Sequence, residues 1–376
     1  MFPTVQINSL NQLSGEVKEI ERTALFVGVG THNVGKILSV SPDSDFDQVF
    51  GSTETELKTY VRSAMRNAGQ NWLAYVYILS QDNYDFPKAV LEANNVGSFE
   101  YVVNTYTTGV DKAKINKLQS LYTDLLTKFG RRTFVIQAIE KINNDQTNGE
   151  SWDKYIQRLT TLQNTVVADH VMLVPLLFGN EVGVIAGRLA NRAVSIADSP
   201  ARVLTGALLD LGSAEKPKDK DGVELNLSHL KSLEQARYSV PMWYPDYDGY
   251  YWADGRMLDV EGGDFQCVEY VRVVDKVARR VRLKAIAKIA DRSFNSTLSS
   301  IEYHKNYFAA VMREMSKSTT VNGKDFPGEC YPPSDESVVI TWVNKTTVKI
   351  YITVRPYDCP KDISVNILLD LETLGD

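Results

Sequence analysis

One pattern constrains the fold of this 376-residue chain more than any other, the repeated alternation of strand-like and helix-like segments in its first half. Apolar runs at 99–103, 133–139 and 171–178 alternate with helical patterns at 111–129, 151–166 and 181–197. Two further apolar runs, 24–29 and 72–79, flank a segment in which Leu57, Tyr60, Val61, Ala64, Met65 and Ala68 recur at helical spacing. Thr53 and Glu56 suggest a capping box for that helix, and Gly69 its end. Parallel strands need long crossover connections, which helices supply. Residues 23–240 are therefore expected to form an α/β domain around a mostly parallel sheet with right-handed crossovers.

The turn after the first strand is the most suggestive local motif. It reads Gly30-x-x-x-x-Gly35-Lys36, seven of the eight places of a phosphate-binding loop, and the eighth is Ile37. A working loop needs Ser or Thr there to hold magnesium, and a helix starting at the lysine to add its dipole. Ile37 offers no hydroxyl. The residues that follow, "ILSVSPD", are β-like and are stopped by Pro42. An acidic-strand partner for magnesium would be Leu208-Leu209-Asp210, which is expected on a helix. A nucleotide-binding α/β enzyme using Gly30–Lys36 is the alternative that this motif raises and its missing parts oppose.

The second half has another character. Residues 213–228, "SAEKPKDKDGVELNLS", read as a charged, exposed excursion or linker. An aromatic-rich turn region follows, then long helices at 265–290 and 296–315. A hairpin is expected over 338–354, turning at Asn344 and Lys345, and a last strand over 363–371 beyond Pro356 and Pro360. These features divide the chain into an arm at 1–22, the α/β domain, an α+β domain at 241–360, and a terminal strand at 361–376.

Other chemistry is sparse. Histidines 32, 170, 229 and 304 are scattered, and Cys267, Cys330 and Cys359 match no metal spacing. No nucleophile elbow is present. The acids Asp246, Asp248 and Asp254 sit among tyrosines in a turn region, either a cation site or a polar loop. A formal net charge of -6 provides no overall attraction to nucleic acid or anionic membrane. The longest apolar stretch, "VVADHVMLVPLLFG", is too short and too polar to span a bilayer, and the N-terminus lacks a signal-peptide pattern. Neither nucleic acid nor membrane is expected as a direct partner.

Two features remain. Between Arg272 and Arg292 a helix carries eight basic residues against two acidic ones. Val271, Val274, Ala278, Val281, Ala285 and Ile289 form an apolar stripe, with Arg272, Lys276 and Arg279 opposite. That basic side is a solvated face, a docking face for an acidic protein or, third, a DNA-binding face, which the acidic chain and the lack of a groove-reading motif oppose. The other feature is a detached strand-like segment at each end of the chain, Val5 and Ile7 in one, Val365, Ile367 and Leu369 in the other. Such segments either fold back or add to the sheet edge of another chain.

The order of these segments resembles the contractile tail sheath proteins of bacteriophages and of phage-tail-like particles such as the R-type pyocins. The resemblance rests on the opening strand and glycine turn with Phe46-Asp47-Gln48-Val49-Phe50-Gly51, on "MLVPLLFGNEVGVIAGRLANRAVSIADSPARV", and on "YDGYYWADGRMLD". The last is similar to a family turn, Gly-x-x-x-Trp-Gly-x-Arg-Thr, onto which Gly249, Trp252 and Arg256 are matched. Trp252 arrives one place early, Ala253 stands where glycine is usual, and Met257 replaces the threonine. The two long helices, hairpin and terminal strand complete the likeness.

The resemblance implies a non-enzymatic subunit that needs no cofactor. It implies six-membered rings stacked helically around an inner tail tube, bounded by baseplate and terminator proteins, in a virion tail assembled in the host bacterial cytoplasm. Contraction would drive the tube through the host envelope. Exchanged terminal strands, with Val5 and Ile7 at one end and Val365, Ile367 and Leu369 at the other, would join neighbours at a hairpin where Lys349, Tyr351 and Thr353 share a face. Arg272, Lys276, Arg279, Arg280 and Lys284 would meet the tube or a neighbour.

Overall fold

A computed structural model of the chain describes residues 20–368. The first half holds strands β1 (Ala24–Val29), β2 (Ile37–Val40), β3 (Ala74–Leu79), β4 (Tyr101–Asn104), β5 (Phe134–Ile139) and β6 (Val171–Pro175). With them come helices α1 (Phe46–Phe50), α2 (Glu56–Ala68), α3 (Phe86–Ala93), α4 (Lys112–Phe129), α5 (Trp152–Gln163) and α6 (Glu181–Ala190). The strands form one sheet in the order β2-β3-β1-β4-β5-β6. All neighbours are parallel except β2, which runs antiparallel to β3 at one edge. Strands β4, β5 and β6 are buried along their whole length, as their unbroken apolar runs require of a sheet covered on both faces.

Helix boundaries follow local chemistry. Asp111 accepts the Lys114 N–H and so caps α4, which ends at Gly130 in the left-handed region. The cap of α2 is Thr55, whose hydroxyl accepts the Lys58 N–H, rather than the Thr53–Glu56 box expected above. The correction is one of register, since three polar residues precede the helix and the apolar face starts at Leu57. Helix α6 packs against α2 at two glycines. A Cβ on Gly183 would lie 2.2 Å from the Tyr60 carbonyl oxygen, and one on Gly187 2.2 Å from that of Ala64. Four residues apart, they clear one face of α6 for the backbone of α2.

One expectation for the region after α6 is overturned. Leu208, Leu209 and Asp210 lie in irregular backbone, not on a helix, with Asp210 at φ 55°. The Leu208 N–H is instead bound by the Tyr250 carbonyl. Residues 213–228 are mostly exposed and are pinned to the fold at a few points. Asp219 is buried and accepts N–H groups from Trp152, Asp221 and Val223, while the Trp152 indole donates to the Val223 carbonyl. The segment then enters α7 (Leu227–Gln235), which packs on α5.

A hairpin of β7 (Pro241–Tyr244) and β8 (Tyr247–Trp252) leads to the long helix α8 (Val268–Ile286) and to α9 (Leu298–Met315). After the short pair β9 (Thr319–Val321) and β10 (Lys324–Phe326) comes a second hairpin, β11 (Val338–Asn344) and β12 (Thr347–Ile352). Its turn is Lys345-Thr346, one place beyond the expected position. The buried residues fall into two clusters. The larger runs from Ala24 to Val271, and the smaller joins Val273 and Val277 of α8 to α9 and the inner face of the second hairpin.

Candidate assembly surfaces

The glycine turn after β1 is tied to the fold at both ends. Gly30 N–H is bound by the Leu79 carbonyl and Gly35 N–H by that of Ile78. Lys36 Nζ donates to Asn33 Oδ1, and Asn33 in turn donates to the Gln48 and Val49 carbonyls of α1. The chain then continues as β2, so no helix N-terminus faces the turn. Gly28 and Gly30 are required by crowding instead. A Cβ on Gly28 would lie 2.2 Å from Thr105 Oγ1, and one on Gly30 2.7 Å from a methyl group of Ile78. The turn is a splice between β1, β3 and α1, not a phosphate cradle.

The basic helix is corrected more sharply. Arg272, Lys276 and Arg279 do not form a solvated or docking face, because α8 inserts between the two cores and buries them. Arg272 meets Glu100 with Nε–Oε1 at 2.7 Å and Nη2–Oε2 at 2.9 Å, both side chains being almost wholly buried. Lys276 pairs with Glu329 at 2.6 Å and Arg279 with Glu21 at 2.7 Å. Burial opposes the charge on Glu21, but Arg279 outweighs it and holds the carboxyl below the usual carboxylate range. Ile289, expected on the apolar stripe, lies beyond the helix and is exposed. Of the five basic candidates, Arg280 and Lys284 remain half-exposed, with Lys284 Nζ 4.4 Å from the centre of the Tyr307 ring.

A further group on α8 was invisible as a motif. His170 Nδ1 lies 2.8 Å from Asp169 and its Nε2 3.4 Å from Asp275, which also meets Arg132 at 3.3 Å. Tyr122 stacks on the imidazole at 3.6 Å. Burial works against a charged imidazole, yet the two carboxylates prevail and raise its pKa to about 9. Asp169 is adjacent in sequence, but Asp275 is over a hundred residues away and only the fold brings it in.

The second hairpin presents two different faces. Val338, Ile340 and Trp342 turn inward with Val348, Ile350 and Ile352. Val339, Thr341, Val343, Lys349 and Tyr351 turn outward and are exposed, with Thr353 continuing that face just past the strand. Among the described residues the sheet has only these two strands, so each has an unpaired edge. The strand expected over 363–371 forms no ladder at 363–368. Ile363, Val365, Ile367 and Leu368 are instead 72–91% exposed. Val5, Ile7 and Leu369 lie outside the described residues.

The matched family turn is structural. Gly249 has φ 100°, and a Cβ there would lie 2.6 Å from that of Ala207. Trp252 is fully buried and its indole donates to Ser239 Oγ at 2.7 Å. Arg256 pairs with Glu234 at 3.3 Å. Of the three turn-region acids, Asp246 and Asp248 stay in the β7–β8 hairpin. Asp254 is buried beside Cys267 and Glu269, and the cation it holds is the ammonium of Lys361.

A protein of Haemophilus phage HP1 (strain HP1c1) bearing the name "Putative tail sheath protein" is 72% identical to this chain over all 376 residues, covering 100% of both. The chain belongs to the contractile tail sheath family. Two family models, described as DUF2586, N-terminal domain and DUF2586, C-terminal domain, match residues 2–256 and 264–372. Solved structures share the fold at low identity. The sheath complex of an extracellular contractile injection system, PVC, in its contracted state gives a TM-score of 0.60 at 15% identity, covering 99% of this chain and 98% of the other. A chain of the anti-feeding prophage baseplate gives 0.58 at 14%, covering 99% of each. The sheath tail protein of Desulfitobacterium hafniense gives 0.51 at 9%, covering 94% and 96%. No helix among the described residues is long and apolar enough to cross a membrane.

Proposed function

We propose that copies of this chain stack as six-membered rings around an inner tail tube and shorten and widen on a baseplate signal, driving the tube through the host envelope. The single observation that carries this reading is the exposed, unpaired apolar segment at 363–368 beside a hairpin with open edges. A lone extended segment leaves both its side chains and its backbone groups without protein partners, and pairing on an edge satisfies both. In this reading Val365, Ile367 and Leu369 enter the hairpin of a neighbour, Val5 and Ile7 contribute the N-terminal strand, and Lys349, Tyr351 and Thr353 lie on the receiving strand and just beyond it. Subunits so linked can rotate against one another while staying joined, which suits a bistable lattice.

The same reading divides the chain into linking ends at 1–22 and 361–376, an α/β domain at 23–240 and a hairpin-bearing domain at 241–360. Arg280 and Lys284 are the basic side chains left to face the tube or a neighbour. The work is mechanical rather than catalytic, and the subunit assembles in the host cytoplasm into the virion tail, between baseplate and terminator. Electron microscopy of the purified chain tests this. Hollow striated tubes are expected; a monodisperse monomer at all concentrations would contradict it.

A further inference from the structure

The C-terminal segment has one ion-paired anchor before it leaves the subunit. Lys361 Nζ lies 2.7 Å from Asp254 Oδ1, 2.8 Å from Glu269 Oε1 and 3.1 Å from Cys267 Sγ. Asp254 follows β8, Cys267 is the N-cap of α8 and Glu269 lies in its first turn. Both carboxylates are buried, and Glu269 meets the ammonium through Oε1 as an ion pair. Burial pushes the Cys267 thiol up to about 12, so it stays protonated and donates toward Asp254. The socket thus presents three acceptors to a group with three N–H donors.

Upstream, the segment is held by the Tyr331 N–H to the Arg355 carbonyl and by Tyr331 against Tyr357 at 4.1 Å. Downstream, residues 362–368 are all exposed. Lys361 is therefore the last fixed point of the described chain. Freeing it would move that point back to Tyr357, adding roughly 13 Å of reach at about 3.3 Å per residue.

We propose that Lys361 is the positioning residue of the C-terminal arm. Its ammonium, held by Asp254, Cys267 and Glu269, fixes where residues 362–376 leave the subunit and so the register in which they pair on a second copy of this chain. The inference rests on the strand-exchange reading above. Register matters because a slip of one residue turns Val365 and Ile367 to the opposite face. A planar guanidinium does not match a compact three-acceptor socket, so arginine is not a conservative replacement here.

The test places a benzophenone amino acid at Ile367 of the full-length chain and maps where it cross-links a neighbour after assembly. A single site is expected. One residue inserted between Asp358 and Cys359, before the socket, should leave that site unchanged. One inserted between Lys361 and Asp362 should move it by one residue. Lys361→Met and Lys361→Arg should spread it over several positions. The triple variant Lys361→Met with Asp254→Asn and Glu269→Gln, which removes the ammonium and both buried carboxylates, gives the same readout should the single variant fold poorly. Identical cross-links from every variant would overturn the proposal. Absence of any inter-subunit cross-link in the unaltered chain would overturn the strand-exchange reading itself, and this inference with it.

Discussion

Arg272 on α8 and Glu100, just before β4, form a two-pronged ion pair across 172 positions of sequence, sealed from solvent on both sides. It keys the helix that carries the C-terminal half into the sheet of the N-terminal half. Both guanidinium contacts are made by parallel N–H groups, the geometry that makes such pairs strong. Glu100→Gln would leave a buried guanidinium without its counter-charge, and unfolding in denaturant should show a loss of about 3–5 kcal/mol. Replacing both partners, Arg272→Met with Glu100→Met, should recover much of that loss.

The contact between α2 and α6 is set by glycine. Gly187→Ala puts a methyl group 2.2 Å from the Ala64 carbonyl oxygen, so the two helices must separate. Overpacking of this kind costs roughly 1–3 kcal/mol, more than alanine's better helix propensity returns. Thermal melting of the variant checks the sign, and an unchanged or raised Tm would contradict the packing.

His170 makes stability depend on pH in a defined direction. Its pKa is about 9 in the fold, against about 6.5 for a free imidazole. The charged form is favoured by folding, so its contribution is complete below pH ~6.5 and is lost as pH rises through ~9. The difference corresponds to a contribution on the order of 3 kcal/mol. Comparing the parent chain with His170→Gln from pH 6 to pH 10 should show the stability gap closing on the alkaline side. A gap that widens with pH would refute the assignment.

Charge reversal separates buried from available basic residues. Arg280→Glu with Lys284→Glu should leave folding nearly unchanged and impair assembly on tubes, most strongly at low salt. Arg279→Glu should instead unfold the chain, because Arg279 is sealed against Glu21. Normal assembly by the double variant at physiological salt would remove these residues from the contact.

How far the sequence disclosed the molecule depended on the distance over which each signal acts. The alternation from 24 to 190 announced the sheet because crossover helices and buried strands leave local patterns. The hairpin turn and the caps were legible to within a residue or two. The faces of α8 were not, since a basic side reads as solvated unless Glu21, Glu100 and Glu329 are known to lie opposite. Lys361 was equally silent, because its socket is drawn from residues about a hundred positions away. The phosphate-like turn misled only in part. Ile37 and the β continuation already departed from the motif, and the carbonyls of β3 explain what its N–H groups do instead.

The central claim is that the C-terminal segment links one subunit to the next. Electron microscopy of the purified chain lacking residues 361–376, beside the intact chain, tests it most directly. A folded monomer that forms no tubes is expected from the truncated chain, with hollow tubes from the intact one. Long, regular sheaths from the truncated chain would contradict the account.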